Sequence, residues 1–241
     1  MMTAKQSLTF LLVMCFTSIL FAQKDQKVKS LSPKKDYLIN ISTRFGEMSL
    51  ILFDDTPQHK KNFVKLAQSG FYDSTIFHRV INKFMIQGGD PESKPGGKAN
   101  MVGRGGPGYT VPAEITGHKH IKGALAAARQ GDRVNPTKAS SGSQFYIVHN
   151  KKGTPHLDGG YTVYGQIISG MEVIDEIASV KVDRRRGNRP IEPIYMKMEV
   201  ETLSRKKIAK RFDYVYPPTE GELAKPRKKG KQKKKKKNSQ K

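Results

Sequence analysis

Phe77-His78-Arg79-Val80-Ile81-Asn82-Lys83-Phe84-Met85-Ile86-Gln87-Gly88-Gly89-Asp90 sets one arginine five and six residues ahead of an aromatic and a thioether, with an amide two residues further on. A guanidinium is always charged and is costly to bury without a partner. Among apolar neighbours it belongs at the rim of a pocket, where it donates hydrogen bonds to a carbonyl-like group. Residues 76–80 and 83–87 read as two short strands.

Outward from that stretch, residues 37–41 and 47–53 form a hairpin around Arg44-Phe45-Gly46. Asp54-Asp55-Thr56-Pro57 then opens a helix, with Thr56 as its cap, Pro57 in its first turn and Gly70 at its end. His59, Phe63, Leu66 and Ala67 fall on one stripe of that helix and mark its core face. Residues 88–123 are dense in glycine and proline, and so long a loop inside a compact domain is usually functional. Residues 124–128, 144–148, 162–168 and 194–202 supply further strands, and 171–178 a second amphipathic helix. Two helices and about eight strands predict a mainly β fold, a closed eight-stranded antiparallel β-barrel capped by two α-helices.

The ends of the 241-residue chain differ from its middle. Lys5, an apolar run over 8–21 and Ala22-Gln23-Lys24 read as a secretory signal peptide spanning 1–22. Leu20 is not the small residue a cut after Ala22 favours, so an uncleaved membrane anchor is the alternative, although the run is short for a full span. Cys15, the one cysteine, sits inside that run between Met14 and Phe16, which speaks against a lipid attachment. An exported, periplasmic or secreted protein without disulfides must be held by its core alone. Residues 23–35 read as a linker and 36–203 as the folded domain, large enough for one sizeable core. Residues 204–241 hold 16 of the 44 Lys and Arg but 3 of the 21 Asp and Glu, so +13 of the formal +23 charge lies there. Such a segment repels itself and has little to bury, which predicts a basic, largely disordered tail.

Four further blocks follow in order: Gly70-Phe71-Tyr72-Asp73, Gly123 through Arg129, Ser140 through Ile147, and His156 through Gly165. With the opening stretch they closely resemble the cyclophilins, the cyclosporin-binding family of peptidyl-prolyl isomerases, over about residues 37–202. The resemblance implies a proline pocket on the outer face of the barrel. It carries Arg79, Phe84, Met85, Gln87, Ala128, Gln144, Tyr146 and Leu157 into that pocket. Three positions depart from the commonest pattern. Arg129 stands where many members have Asn, with its backbone still able to bind peptide. His156 replaces the Trp associated with tight cyclosporin binding, and Tyr161 stands where many members have His. Taken singly, Phe84 and Met85 read as core, Arg79 as a solvated charge, Gln144 as a polar strand position and His78 as structural. Only their grouping makes a site.

The implied reaction is rotation about X–Pro, whose resonance barrier is about 18–20 kcal/mol while its two isomers differ by only about 0.5–1 kcal/mol. Uncatalysed exchange takes about 10–100 s, slow enough to limit folding. A catalyst need only hold the ring and favour the twisted state over both planar ones, so no nucleophile, metal or cofactor is expected. Phe84, Met85, Tyr146 and Leu157 would grip the proline, Gln87 and Gln144 the flanking backbone, and Arg79 would donate to the prolyl nitrogen.

Other motifs lead nowhere. Gly103-Arg104-Gly105-Gly106-Pro107-Gly108 has the dinucleotide spacing but runs into Tyr109-Thr110-Val111-Pro112 rather than a helix. His118-Lys119-His120 lacks a well-spaced third metal ligand and reads as a solvated loop. The expected partners are proline-containing polypeptides, with a binding module of little turnover as the rival reading and a monomer as the expected state. The tail lysines suit anionic envelope polymers or a lipid surface. With only Tyr214 and Tyr216 nearby for stacking, nucleic acid is disfavoured.

Overall fold

The computed structural model describes Val28 and residues 31–217. The expected signal peptide, most of the linker and residues 218–241 lie outside the described residues. In chain order the strands are β1 (Lys35–Thr43), β2 (Gly46–Leu52), β3 (Arg79–Ile81), β4 (Met85–Gly88), β5 (Thr110–Val111) and β6 (Ala124–Ala127). β7 (Ser140–Ser141), β8 (Phe145–Val148), β9 (Val163–Ser169), β10 (Val182–Asp183), β11 (Arg189–Pro190) and β12 (Lys197–Ser204) follow. The α-helices are α1 (Pro57–Gln68), α2 (Met171–Ser179) and α3 (Arg205–Phe212).

Eight strands form one sheet in the order β12-β1-β2-β9-β6-β8-β4-β3, every neighbouring pair antiparallel. The mainly β fold is as the alternation predicts, but the closed barrel is not. Among the described residues no ladder joins β12 to β3. The chain just before each edge strand makes the connection instead, through the single bridge Ile76 to Tyr195 and the Phe77 N–H bond to the Ile194 carbonyl at 3.1 Å. Pro190 and Pro193 stand in that approach, and neither can donate to a ladder.

Successive strand residues face opposite sides. Ile86, Leu125, Phe145 and Ile147 turn inward to pack with Phe63 of α1 and Ile174 of α2 in the main core. Met85, Ala126, Tyr146 and Val148 turn outward, yet they too are buried, in a second cluster on the outer face. That second cluster is the floor of the site described below.

Two helix ends differ from the sequence expectation. Thr56 occupies the N-cap of α1 but makes no capping bond; its hydroxyl donates to the Phe53 carbonyl. The cap comes from the long loop: Glu114 accepts the Gln58 and His59 backbone N–H groups at 3.0 and 2.9 Å. The ordered unit also runs past residue 203. Ser204 caps α3 by accepting from the Lys207 N–H, and Ile208 is fully buried against Leu38 and Ile51 on the outer face of β1 and β2. Burying one such side chain contributes about 1.5–3 kcal/mol, enough to hold a short basic helix that has little propensity of its own to persist. Phe53 packs against both this cluster and the floor cluster.

Candidate active site

The register aligns Arg79 opposite Gln87, Gln87 opposite Tyr146, and Tyr146 opposite Ala126. Directly paired residues share a face, so these four form one row across β3, β4, β8 and β6. The next row brings Ile81, Met85 and Val148 together. One end of the face is therefore polar and the other apolar.

Side-chain hydrogen bonds fix the polar end. Arg79 Nη1 donates to Gln87 Oε1 at 3.1 Å, and Gln87 Nε2 donates to Gln144 Oε1 at 3.1 Å. Gln144 Nε2 then donates to the Gly105 carbonyl at 2.8 Å and to Asp90 Oδ2 at 3.3 Å. Every amide points the same way, from a cation to a buried carboxylate, so each bond polarises the next. Burial pulls the Arg79 pKa below its ordinary value, with Tyr161 opposing, but a guanidinium stays protonated. The glycine-rich loop serves this line. Asp90 accepts from the Gly103 and Gly105 backbone N–H groups, and a Cβ at Gly105 would collide with the Asp90 carboxylate. Of the glycines in the dinucleotide-like run, Gly105 is the one that this contact requires to lack a Cβ.

The apolar end has walls and a floor. Phe84, half-buried, sits on the β3–β4 turn, which is fastened by the His149 N–H donating to the Phe84 carbonyl at 2.9 Å. The Phe84 ring lies 5.9 Å from the His156 ring at 24°. Leu157, also half-buried, follows on the turn Pro155–Leu157. Met85 and Tyr146 are almost closed to solvent, so they support the hollow from below rather than gripping from its sides. Ala128, at the end of β6, packs against the same cluster.

Tyr161 and Arg129 form the rim. The Arg129 guanidinium lies 4.4 Å above the Tyr161 ring, while its Nε donates to the Gly160 carbonyl at 2.7 Å and its Nη1 to the Gln130 carbonyl at 2.9 Å. Its side chain thus braces Tyr161, and its Nη1 also pairs with Asp132. Tyr161 meets Tyr146 edge-on at 6.0 Å. Beyond Gln87 and Gln144 a cleft of about 840 Å³ opens between the glycine-rich loop and residues 128–142.

Sequence reasoning missed two residues here. His120, read as part of a solvated loop, is buried: its Nδ1 donates to Asp158 Oδ1 at 2.8 Å and its Nε2 accepts from the Tyr146 hydroxyl at 2.9 Å. Burial holds the His120 pKa below its ordinary value against the pull of Asp158, which fits this neutral tautomer. Asp158, one residue after Leu157, is held below the usual carboxylate range by the backbone N–H and ring of His120. His118 differs: it stacks on Phe53 at 3.9 Å and pairs with exposed Asp55. Among the described residues no group of three His, Cys, Asp or Glu is placed to hold a metal.

The family model for cyclophilin-type peptidyl-prolyl cis-trans isomerases matches residues 38–200. The chain belongs to the cyclophilin family. A relative from Synechococcus elongatus, named peptidyl-prolyl cis-trans isomerase, is 40% identical over 151 residues, covering 59% of this chain and 93% of that one. The crystal structure of a Cryptosporidium parvum cyclophilin-type isomerase matches with a TM-score of 0.59 and 31% identity, covering 69% of this chain and 98% of that one. A second crystal structure of it, in the presence of the dipeptide Ala-Pro, matches with a TM-score of 0.56 and 30% identity, covering 70% and 98%. This cyclophilin is accordingly a peptidyl-prolyl cis-trans isomerase, an enzyme of class EC 5.2.1.8.

Proposed function

We propose that the outer-face hollow takes the proline ring of a polypeptide and that Arg79 drives its rotation. The observation that carries this is the fixed line Arg79–Gln87–Gln144 beside an apolar hollow. Arg79 uses one of its five N–H donors on Gln87, which leaves others for the ligand. As the imide twists, resonance is lost and the prolyl nitrogen regains a lone pair. A guanidinium held in place stabilises that lone pair only at the twist, so the interaction lowers the barrier rather than merely tightening binding. Phe84 and Leu157 flank the ring, Met85 and Tyr146 lie beneath it, and Gln87 with Gln144 meet the flanking backbone. Ala128, Arg129 through its backbone, His156 and Tyr161 complete the contact surface.

Loss of a donor acting only at the transition state costs about 2.7–4 kcal/mol. Arg79→Ala is therefore expected to lower kcat about 10²- to 10³-fold with the denaturation midpoint little changed, measured on a proline peptide by exchange spectroscopy. Near-normal turnover would defeat the assignment.

The substrates are proposed to be exported chains whose folding waits on proline, in a periplasmic or secreted setting, with the protein acting as a monomer. The apolar run over 8–21 behind Lys5 supports export. On the exposed side of α3, Lys206, Lys207, Lys210 and Arg211 continue the charge of the lysine-rich end, which supports a role for that end in meeting anionic envelope polymers or lipid. The N-terminus of the mature protein and its cellular fraction test the export reading.

A further inference from the structure

Residues 182–190, Val182-Asp183-Arg184-Arg185-Arg186-Gly187-Asn188-Arg189-Pro190, place four arginines in six positions. The segment is a short hairpin. β10 and β11 pair Val182 with Pro190 and Asp183 with Arg189, and the Asp183 carboxylate accepts the Arg185 N–H at 2.9 Å. Gly187 and Asn188 turn the chain with φ of 71° and 63°, a conformation that favours glycine and asparagine.

This hairpin is fastened to the strand that carries Arg79. The Val80 N–H donates to the Asn188 carbonyl at 2.9 Å, so this separate two-stranded sheet is pinned against the β3 edge one residue from the catalytic guanidinium. Arg184, Arg185 and Arg186 are exposed, and none of their side chains has a hydrogen bond or ion pair among the described residues. The acids nearest in sequence are engaged elsewhere. Asp183 caps the turn, and Glu192 pairs with Arg44 at 3.1 Å. Arg189, half-buried beside them, keeps a buried Nε without a partner.

Three cations on one turn outnumber its single carboxylate, Asp183, so the turn carries a net positive charge that raises the potential over the β3 edge of the pocket. A folded scaffold that holds them there offers a ready site for carboxylates arriving on the substrate. An extended substrate chain advances about 3.3 Å per residue, so the acids that meet the hairpin stand some residues away from the proline rather than beside it. We propose that the Val182–Pro190 hairpin makes this enzyme select polypeptides with aspartate or glutamate near the target proline. The proposal rests on the proline-pocket reading and adds the substrate class.

The test compares full-length wild type with the variant R184Q/R185Q/R186Q, on a neutral proline peptide and on peptides with glutamates placed either before or after the proline. Both kcat/KM, by exchange spectroscopy, and Kd are measured at low and at physiological salt. Wild type is expected to favour at least one acidic placement by about threefold to tenfold at low salt, as for one or two exposed ion pairs, and less as salt rises. The variant is expected to lose that preference while handling the neutral peptide as wild type does. No acidic preference in either measurement, or a preference that survives in the variant, overturns the proposal. Hairpin-dependent binding of a DNA oligonucleotide without acidic-peptide preference overturns it too. Loss of turnover on the neutral peptide in wild type would instead strike the isomerase assignment of the pocket, and the Kd values would still decide the hairpin.

Discussion

His120 Nε2 accepts the Tyr146 hydroxyl at 2.9 Å, with the two rings 6.0 Å apart and inclined by only 10°. Through its other nitrogen the same imidazole holds Asp158, the residue after Leu157. One buried ring thus joins the floor of the hollow to its wall. In the proposed site His120 is a positioning residue: it fixes Tyr146 on the floor and, through Asp158, the turn that carries Leu157.

Replacing it should loosen the hollow more than it harms the twist. A net hydrogen bond is worth about 0.5–1.5 kcal/mol, so His120→Ala is expected to raise KM about twofold to tenfold with a smaller change in kcat. His120→Gln, which keeps an acceptor for Tyr146, should recover part of the loss. Michaelis parameters for the three proteins check this, and equal KM values would refute it.

Acid should destabilise this protein through its histidines. Burial first of all, with Asp90 opposing, lowers the His78 pKa from 6.5 to about 4, and burial also lowers those of His59 and His120. A histidine kept neutral by the fold protonates more readily when unfolded, so its contribution is fully present above pH 6.5. It is lost as pH falls towards about 4. Asp158 and Glu114, both held low, lose their contributions in the same direction as they protonate. The urea midpoint is expected to fall on acidification below about pH 6.5, and less steeply in His78→Gln. A midpoint independent of pH between 4 and 6.5 would contradict this.

Helix α3 should be part of the cooperative unit. Ile208 is fully buried against Leu38 and Ile51. Ile208→Ala is expected to cost about 2–5 kcal/mol, read from equilibrium denaturation. A loss below about 0.5 kcal/mol, the range of a surface substitution, would show that the helix is merely draped on the sheet.

Strand periodicity made most of the fold legible: residues 37–41, 47–53, 124–128 and 162–168 each contain or overlap an observed strand. Closure was not legible, because it depends on how the approaches to β3 and β12 meet across the molecule, and local alternation says nothing of that. Helix α3 was hidden by its charge. Five of its eight residues are Lys or Arg, and only Ile208, Phe212 and the capping Ser204 betray a buried stripe. Arg79, Phe84, Met85 and Gln87 were readable as a group because they lie within nine positions. Their supports were not. Gln144 lies 39 residues from Gly105 and His120 lies 26 from Tyr146, and nothing beside His120 in sequence signals that it is buried.

Phe53 belongs to the apolar cluster under α3 and to the one under Tyr146. The two clusters therefore share a neighbour, and the packing under α3 is continuous with that of the outer face through this phenyl ring. A substitution that repacks Ile208 against Leu38 and Ile51 is therefore felt, through Phe53, at the cluster that holds Met85 and Tyr146.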